Sequence, residues 1–133
     1  MTTKTHKLKE PDNNITIEPK LILDTIVDCI QDIKGKNILV LDLKDLDDAP
    51  TDCFVICEGE SSTQIKAIAD NIHKRLKDEF RILPNHMEGL NTSQWILVDY
   101  FDVVVHVFYP PLRKFYDLED LWNDAAKTKY EDV

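Results

Sequence analysis

The stretch that decides the fold runs from Gln94 to Phe108 and reads Gln-Trp-Ile-Leu-Val-Asp-Tyr-Phe-Asp-Val-Val-Val-His-Val-Phe. Apolar runs on both sides of a short polar centre predict two strands folded back on each other as an antiparallel hairpin. Residues directly opposite in such a hairpin share a face. Closing the loop around Tyr100-Phe101 pairs Asp99 with Asp102, Val98 with Val103, Leu97 with Val104, and Trp95 with His106.

The two faces of this hairpin have different chemistry. One face is aliphatic and carries Ile96, Val98, Val103 and Val105. The other carries Trp95, Leu97, Val104 and His106, with Asp99 and Asp102 at its end. If helices cover the aliphatic face, the second face stays open, and exposed apolar patches of that kind usually meet a partner. These last six residues are therefore the predicted partner-binding set. The loop is not of the Asn-Gly type, so a four-residue turn is an alternative, and it leaves the faces unchanged.

Length and charge set the limits on function. A chain of 133 residues suits one domain, which buries roughly two thirds of its unfolded surface. The formal net charge of −9 disfavours direct, sequence-specific binding to nucleic acid and binding to anionic membranes, and it favours a basic protein partner. No apolar run approaches the ~20 residues of a membrane span, and the first residues resemble no secretion signal, so we expect a cytoplasmic location.

The pattern along the chain predicts an α/β (α+β) fold. Residues 1–14 are polar and aperiodic and predict a flexible tail, residues 15–126 predict one domain, and residues 127–133 predict a C-terminal tail. Helices are expected from Pro19 to about Gly35, over Ser62–Phe80 with a Ser61 cap, and after Asp117. Further strands are expected over residues 38–43, 53–57 and 86–88. The result is a single mixed sheet with helices mainly on one face and a crossover made by the long helix.

Besides the recognition surface, the sequence offers two candidate chemical sites. Gly59-Glu60-Ser61-Ser62 opens a helix and is a candidate phosphate site, but an ordinary helix cap explains the same residues. Asp99 with Asp102 is a candidate metal-dependent nucleotidyl-transfer site, although acids beside a turn more often only solvate the turn. Cys29, Cys53 and Cys57 are expected to be small core residues without a disulfide. We therefore expect no cofactor, no metal and no catalytic residues.

An ordered set of motifs resembles a known family. It comprises Thr51-Asp52-Cys53-Phe54, Gly59-Glu60-Ser61-Ser62, Glu88-Gly89, Trp95-Ile96-Leu97-Val98-Asp99, Asp102, Val105-His106, Arg113, Tyr116-Asp117-Leu118-Glu119 and Leu121-Trp122. Together these motifs resemble the ribosomal silencing factor family, also called Iojap-like, over about residues 17–123.

The resemblance implies a fold similar to nucleotidyltransferases without enzymatic activity. It further implies a translational repressor that binds the large ribosomal subunit at its universal protein fourteen and blocks joining of the small subunit when nutrients are short. Trp95, with Asp99, Asp102 and His106, is the position most directly carried over. The alternative for Trp95 and His106 is that the C-terminal tail, or a homodimer through the same patch, covers them. For the segment from Arg113 to Trp122, the alternative is structural: the aromatic rings close the core, and Arg113 with Glu119 ties the short helix in place.

Overall fold

A computed structural model describes residues 6–7 and 16–133 of the chain. In order, the elements are β1 (His6–Lys7), β2 (Thr16–Ile17), α1 (Pro19–Asp32), β3 (Lys36–Asp42), β4 (Cys53–Glu58), α2 (Ser62–Phe80), β5 (His86–Glu88), β6 (Trp95–Asp99), β7 (Val103–Phe108), α3 (Pro110–Tyr116), α4 (Leu118–Leu121) and β8 (Ala126–Lys129). The predicted tail over residues 1–14 lies outside the described residues, apart from β1, which pairs antiparallel with β2.

The main sheet has six strands in the order β5-β6-β7-β4-β3-β8. Strands β4 and β7 are parallel, and the other pairs of this sheet are antiparallel, which confirms the predicted mixed sheet. Helix α2 connects the first half of the sheet to β5 and so belongs to the crossover between the two parallel strands. No helix in the described part of the chain is both long and apolar enough to cross a membrane.

The aliphatic face of the hairpin packs under α1 and α2, as the periodicity predicted. Helix α1 buries residues such as Ile26 and Ile30, and α2 buries Ile68 and Ile72, on the same core as Val98. At 3.6 residues per turn these positions recur on one side of each helix, so a continuous apolar stripe meets the sheet. This packing fixes which hairpin face is left for other contacts.

The start of α2 is capped and is also hydrogen-bonded to the end of α1. Ser61 caps it as predicted, because its Oγ accepts a hydrogen bond from the Gln64 backbone at 3.1 Å. The Gln64 side chain accepts from the Glu60 backbone N–H at 2.7 Å and donates to the carbonyls of Ile33 and Lys34, at 3.0 and 3.1 Å. The helix entry is therefore an ordinary cap that also fastens the end of α1, which explains Gly59–Ser62 without a phosphate.

The hairpin register differs from the predicted pairing. Trp95 pairs with Phe108, Leu97 with His106, and Asp99 with Val104, so every pair is shifted by two residues. The reason is the position of the turn, which is centred on Phe101-Asp102 and not on Tyr100-Phe101, and is closed by a hydrogen bond from the Tyr100 N–H to the Val103 carbonyl at 2.8 Å. A shift of two residues preserves the faces, because side chains alternate with a period of two. Asp102 is thus a turn residue, and its predicted pairing with Asp99 was wrong.

The C-terminal part holds more structure than the sequence suggested. Pro110, predicted only to end a strand, begins α3, where a proline at the first turn costs no hydrogen bond. Asp117 caps α4 as predicted, with its Oδ1 accepting from the Asp120 N–H at 3.3 Å. Residues 126–129 form β8 on the outer edge of β3, so the predicted boundary at 126 and the tail over 127–133 were wrong there.

Candidate functional site

The face of the sheet opposite α1 and α2 carries a second, smaller core. It contains Leu39, Leu41, Leu43, Phe54, Ile56, Val104, Phe108 and Ala125. Leu112, Leu118 and Trp122, from the segment that follows β7, pack against it, as do Leu46 and Ala49 from the loop before β4. The expectation of an uncovered face was therefore wrong over much of its area, because the C-terminal helices lie on it. Of the apolar hairpin residues on this face, Trp95 and Leu97 stay half-exposed.

His106 lies inside this second core. It is 4% exposed, and its Nδ1 accepts a hydrogen bond from the Trp95 indole N–H at 3.1 Å. Its ring also meets Phe54 edge-on, with ring centroids 4.6 Å apart. Burial lowers the pKa of His106 to about 4, so the imidazole is neutral at pH 7. Because Nδ1 is the acceptor, the ring proton lies on Nε2, which is buried without a hydrogen-bond partner in the described chain. His106 and the buried Val104 thus support the face from beneath.

Trp95 is the link between this core and the surface. Its indole stacks on Phe108, with centroids 4.8 Å apart, and against Tyr116 of α3, at 4.7 Å. Tyr116 is 49% exposed, and its ring contacts Phe115, which is 77% exposed, at 5.0 Å. We call Trp95, Phe115 and Tyr116 the aromatic surface. Aromatic rings of this size dominate the energetics of protein interfaces, so this surface suits a protein partner.

Phe115 was missed by the sequence analysis. The signal that reveals it is the proline pair at 110–111, because prolines at a first helical turn predict a helix that carries Phe115 and Tyr116 together. The structural alternative placed Tyr116 in the core, but it is half-exposed and lies over Trp95. Trp122 does close the core as predicted, with its ring edge-on to Phe54 at 6.3 Å.

The two predicted acidic residues take different positions. Asp99 accepts a hydrogen bond from the Phe101 N–H at 2.7 Å through Oδ1, and its Oδ2 lies 3.5 Å from His86 Nδ1. Asp102 lies in the turn, beside a cleft that also includes Asp52. In residues 16–133, no group of three or more His, Cys, Asp or Glu side chains is arranged to hold a metal ion.

Arg113 has a structural role, as the alternative interpretation held. It is 8% exposed and contacts the Glu58 carboxylate at 3.0 Å, the Asn37 carbonyl at 2.6 Å and both oxygens of Glu119 at 3.3 Å. These bonds connect α3 to the end of β4, the start of β3 and α4. A buried guanidinium with this many acceptors holds the C-terminal helices against the sheet.

The cysteines are core residues. Cys29 and Cys57 are buried, Cys53 is half-buried, and all three are free thiols. Burial raises the pKa of each thiol to about 12, so the reactive thiolate is scarce at pH 7. They fill space in the core and supply no nucleophile.

Comparison with known proteins decides the family. A family model described as ribosomal silencing factor during starvation matches residues 16–133. The chain belongs to this family. The resemblance drawn from the motifs is thereby confirmed. The family has a regulatory role in translation at the ribosome, and not an enzymatic one.

Individual relatives of this silencing factor agree in sequence and in fold. The ribosomal silencing factor of Bacillus subtilis is 42% identical over 106 residues, which are 80% of this chain and 88% of the relative. A crystal structure of a Chromobacterium violaceum protein superposes with a TM-score of 0.76 at 36% identity, covering 80% of this chain and 88% of that one. A mouse protein named mitochondrial assembly of ribosomal large subunit protein 1 is 30% identical over 109 residues, 80% of this chain and 47% of its own length.

Proposed function

We propose that this silencing factor represses translation by binding the large ribosomal subunit and sterically blocking the small subunit. The contact is the universal ribosomal protein fourteen, and the repression acts in the cytoplasm when nutrients are limited. The observation that carries the proposal is the aromatic surface, where Phe115 and Tyr116 expose 77% and 49% of their area beside the half-buried Trp95. The mouse relative, whose name refers to the large subunit, supports the choice of subunit.

The chemistry of the surface fits a basic protein. The chain carries 25 acidic and 16 basic residues, so its field attracts basic ribosomal proteins and repels the phosphates of ribosomal RNA. Exposed aromatic rings supply the apolar centre that protein interfaces use as anchors. Blocking needs only that the bound factor occupies volume at the joining surface, so no catalytic group is required.

The predicted contact residues divide into two groups in this proposal. Trp95, Leu97, Asp99 and Asp102 are half-exposed and meet the partner, while the buried Val104 and His106 act from beneath, His106 by holding Trp95 in place through its hydrogen bond. A homodimer through the same aromatic surface competes with the ribosome, because one surface serves both partners.

The test uses a surface residue that does not support the fold. Phe115→Ala removes an exposed ring, and we expect the affinity for isolated large subunits to fall by about tenfold or more. The thermal unfolding temperature should stay close to that of the parent chain. Sucrose-gradient sedimentation with separate large and small subunits measures both binding and the choice of subunit.

The matched control is Lys77→Ala, on the exposed side of α2. It should co-sediment with the large subunit as the parent chain does. Co-migration with the small subunit, or no binding to either subunit, refutes the proposed function. Unchanged binding of Phe115→Ala moves the contact away from the aromatic surface.

A further inference from the structure

The tip of the β6–β7 hairpin presents a strained aromatic residue. Phe101 has a φ of 70° and is 67% exposed. That backbone conformation favours glycine and is costly for a bulky side chain. The tip is nevertheless held firmly, because the Phe101 N–H donates to Asp99 Oδ1 at 2.7 Å and the Thr51 hydroxyl donates to the Phe101 carbonyl. Strain that the surroundings enforce is typical of functional sites.

A cleft of about 360 Å³ lies against this tip. Its apolar lining includes Leu43, Leu46 and Pro50, and its charged lining consists of Asp52, Asp102 and Lys44. The Asp52 Oδ2 atom is buried and has no hydrogen-bond partner among the described residues. A buried carboxylate oxygen without a donor is unfavourable, so this atom provides an acceptor that a ligand can satisfy.

The charge around the cleft selects a cation. Residues 42–52 contain five aspartates and a single lysine, and that lysine, Lys44, lies 4.0 Å from Asp42. Anionic RNA is repelled by this field, and so is the same acidic segment of a second copy of the chain. The occupant that fits is a basic protein side chain.

Arginine matches each wall of the cleft. Its planar guanidinium donates to carboxylates and stacks on aromatic rings, and its aliphatic stem packs on apolar surface. We propose that the cleft between Phe101 and Asp52 binds an arginine side chain of the large-subunit protein on which the factor docks. The inference rests on the proposed function and adds a second contact to it. The tip lies at the far end of β6 from Trp95, roughly 15–20 Å away, which is within the width of one ordinary protein interface.

The experiment measures affinity for isolated large ribosomal subunits and thermal unfolding of each variant. Phe101→Gly removes the ring and relieves the backbone, so binding should weaken by about tenfold while the unfolding temperature stays equal or rises. Asp52→Asn removes the acceptor charge and should weaken binding by a similar factor. The control is Lys34→Gly, another exposed residue with a positive φ of 63°, at the end of α1, and it should bind as the parent chain does.

The outcomes separate this inference from the proposed function. If Phe115→Ala loses binding while Phe101→Gly and Asp52→Asn keep it, the arginine site is refuted and the proposed function stands. If the parent chain does not bind the large subunit, both are refuted. Binding to protein-free ribosomal RNA that Phe101→Gly abolishes, or a dimer that it disrupts with subunit binding intact, also overturns the assignment of arginine.

Discussion

The buried His106 predicts a specific dependence of stability on pH. In the folded chain burial lowers the pKa of His106 to about 4, whereas the unfolded chain has the ordinary value of 6.5. Between these two pH values the unfolded chain binds a proton that the folded chain does not. The contribution of the neutral His106 to the free energy of unfolding is therefore complete above pH 6.5 and is lost as the pH falls toward 4. The perturbation that isolates it is His106→Gln, which does not titrate and keeps an acceptor for the Trp95 indole.

The size of this pH-dependent loss of stability follows from the difference between the folded and unfolded pKa of His106. A difference of about 2.5 pH units, at about 1.4 kcal/mol each, corresponds to about 3 kcal/mol lost between pH 7 and pH 4. No discount for solvent is needed, because His106 is 4% exposed. Carboxylates titrate in the same range, but they do so equally in the parent chain and in His106→Gln. The difference between the two pH profiles therefore belongs to His106.

The assay is urea unfolding of both chains at pH 7, 6, 5 and 4.5. The free energy of unfolding should fall more steeply with decreasing pH in the parent chain than in His106→Gln, by up to about 1.4 kcal/mol per pH unit. NMR titration of the histidine ring gives an independent value, with the His106 resonances unchanged from pH 7 to 5. Parallel profiles, or a ring that titrates near pH 6.5, would refute the buried neutral imidazole and its hydrogen bond to Trp95.

Two further changes test the supports of the C-terminal helices and of the hairpin. Arg113→Ala leaves Glu58 and Glu119 without their shared cation, and we expect the free energy of unfolding to drop by about 3 kcal/mol in urea titrations; a loss under about 0.5 kcal/mol would contradict the structural role. Gly89→Ala places a Cβ 1.9 Å from the Trp95 carbonyl oxygen at a φ of +88°, so we expect a loss of about 2 kcal/mol or more by thermal unfolding, and a normal unfolding temperature would argue against this backbone contact.

Periodicity predicted the helices and the faces of the hairpin because both depend on local spacing. Helix α2 begins and ends where the cap and the apolar stripe place it, at Ser62 and Phe80. The hairpin register could not be predicted from this spacing, because a shift of two residues leaves the alternation of Trp95, Leu97 and their neighbours unchanged. What fixed it was a turn with Phe101 in a conformation that its residue type does not suggest.

The candidate site was predicted only in part, because local spacing shows which residues share a face but not what covers that face. Trp95 and His106 share a face as expected, but their burial depends on α3 and α4, which are placed by long-range contacts such as those of Arg113. A pattern of residues cannot show that distant segments cover a face. The aromatic surface depends on the packing of Tyr116 over Trp95, which local sequence patterns do not specify.

Strand β8 has a consequence for how copies of the chain avoid one another. Its residues Ala126–Lys129 are all exposed, and their hydrogen bonds cover the outer edge of β3. Without them, β3 would present the unpaired backbone of an apolar strand, which is a template for pairing with another molecule. Lys127 and Lys129 lie on β8, which is now the outer strand, and their charge and size disfavour pairing with another molecule. Strand β8 thus protects the sheet edge from intermolecular pairing. Removal of the chain from Ala126 onward would expose β3 and promote aggregation.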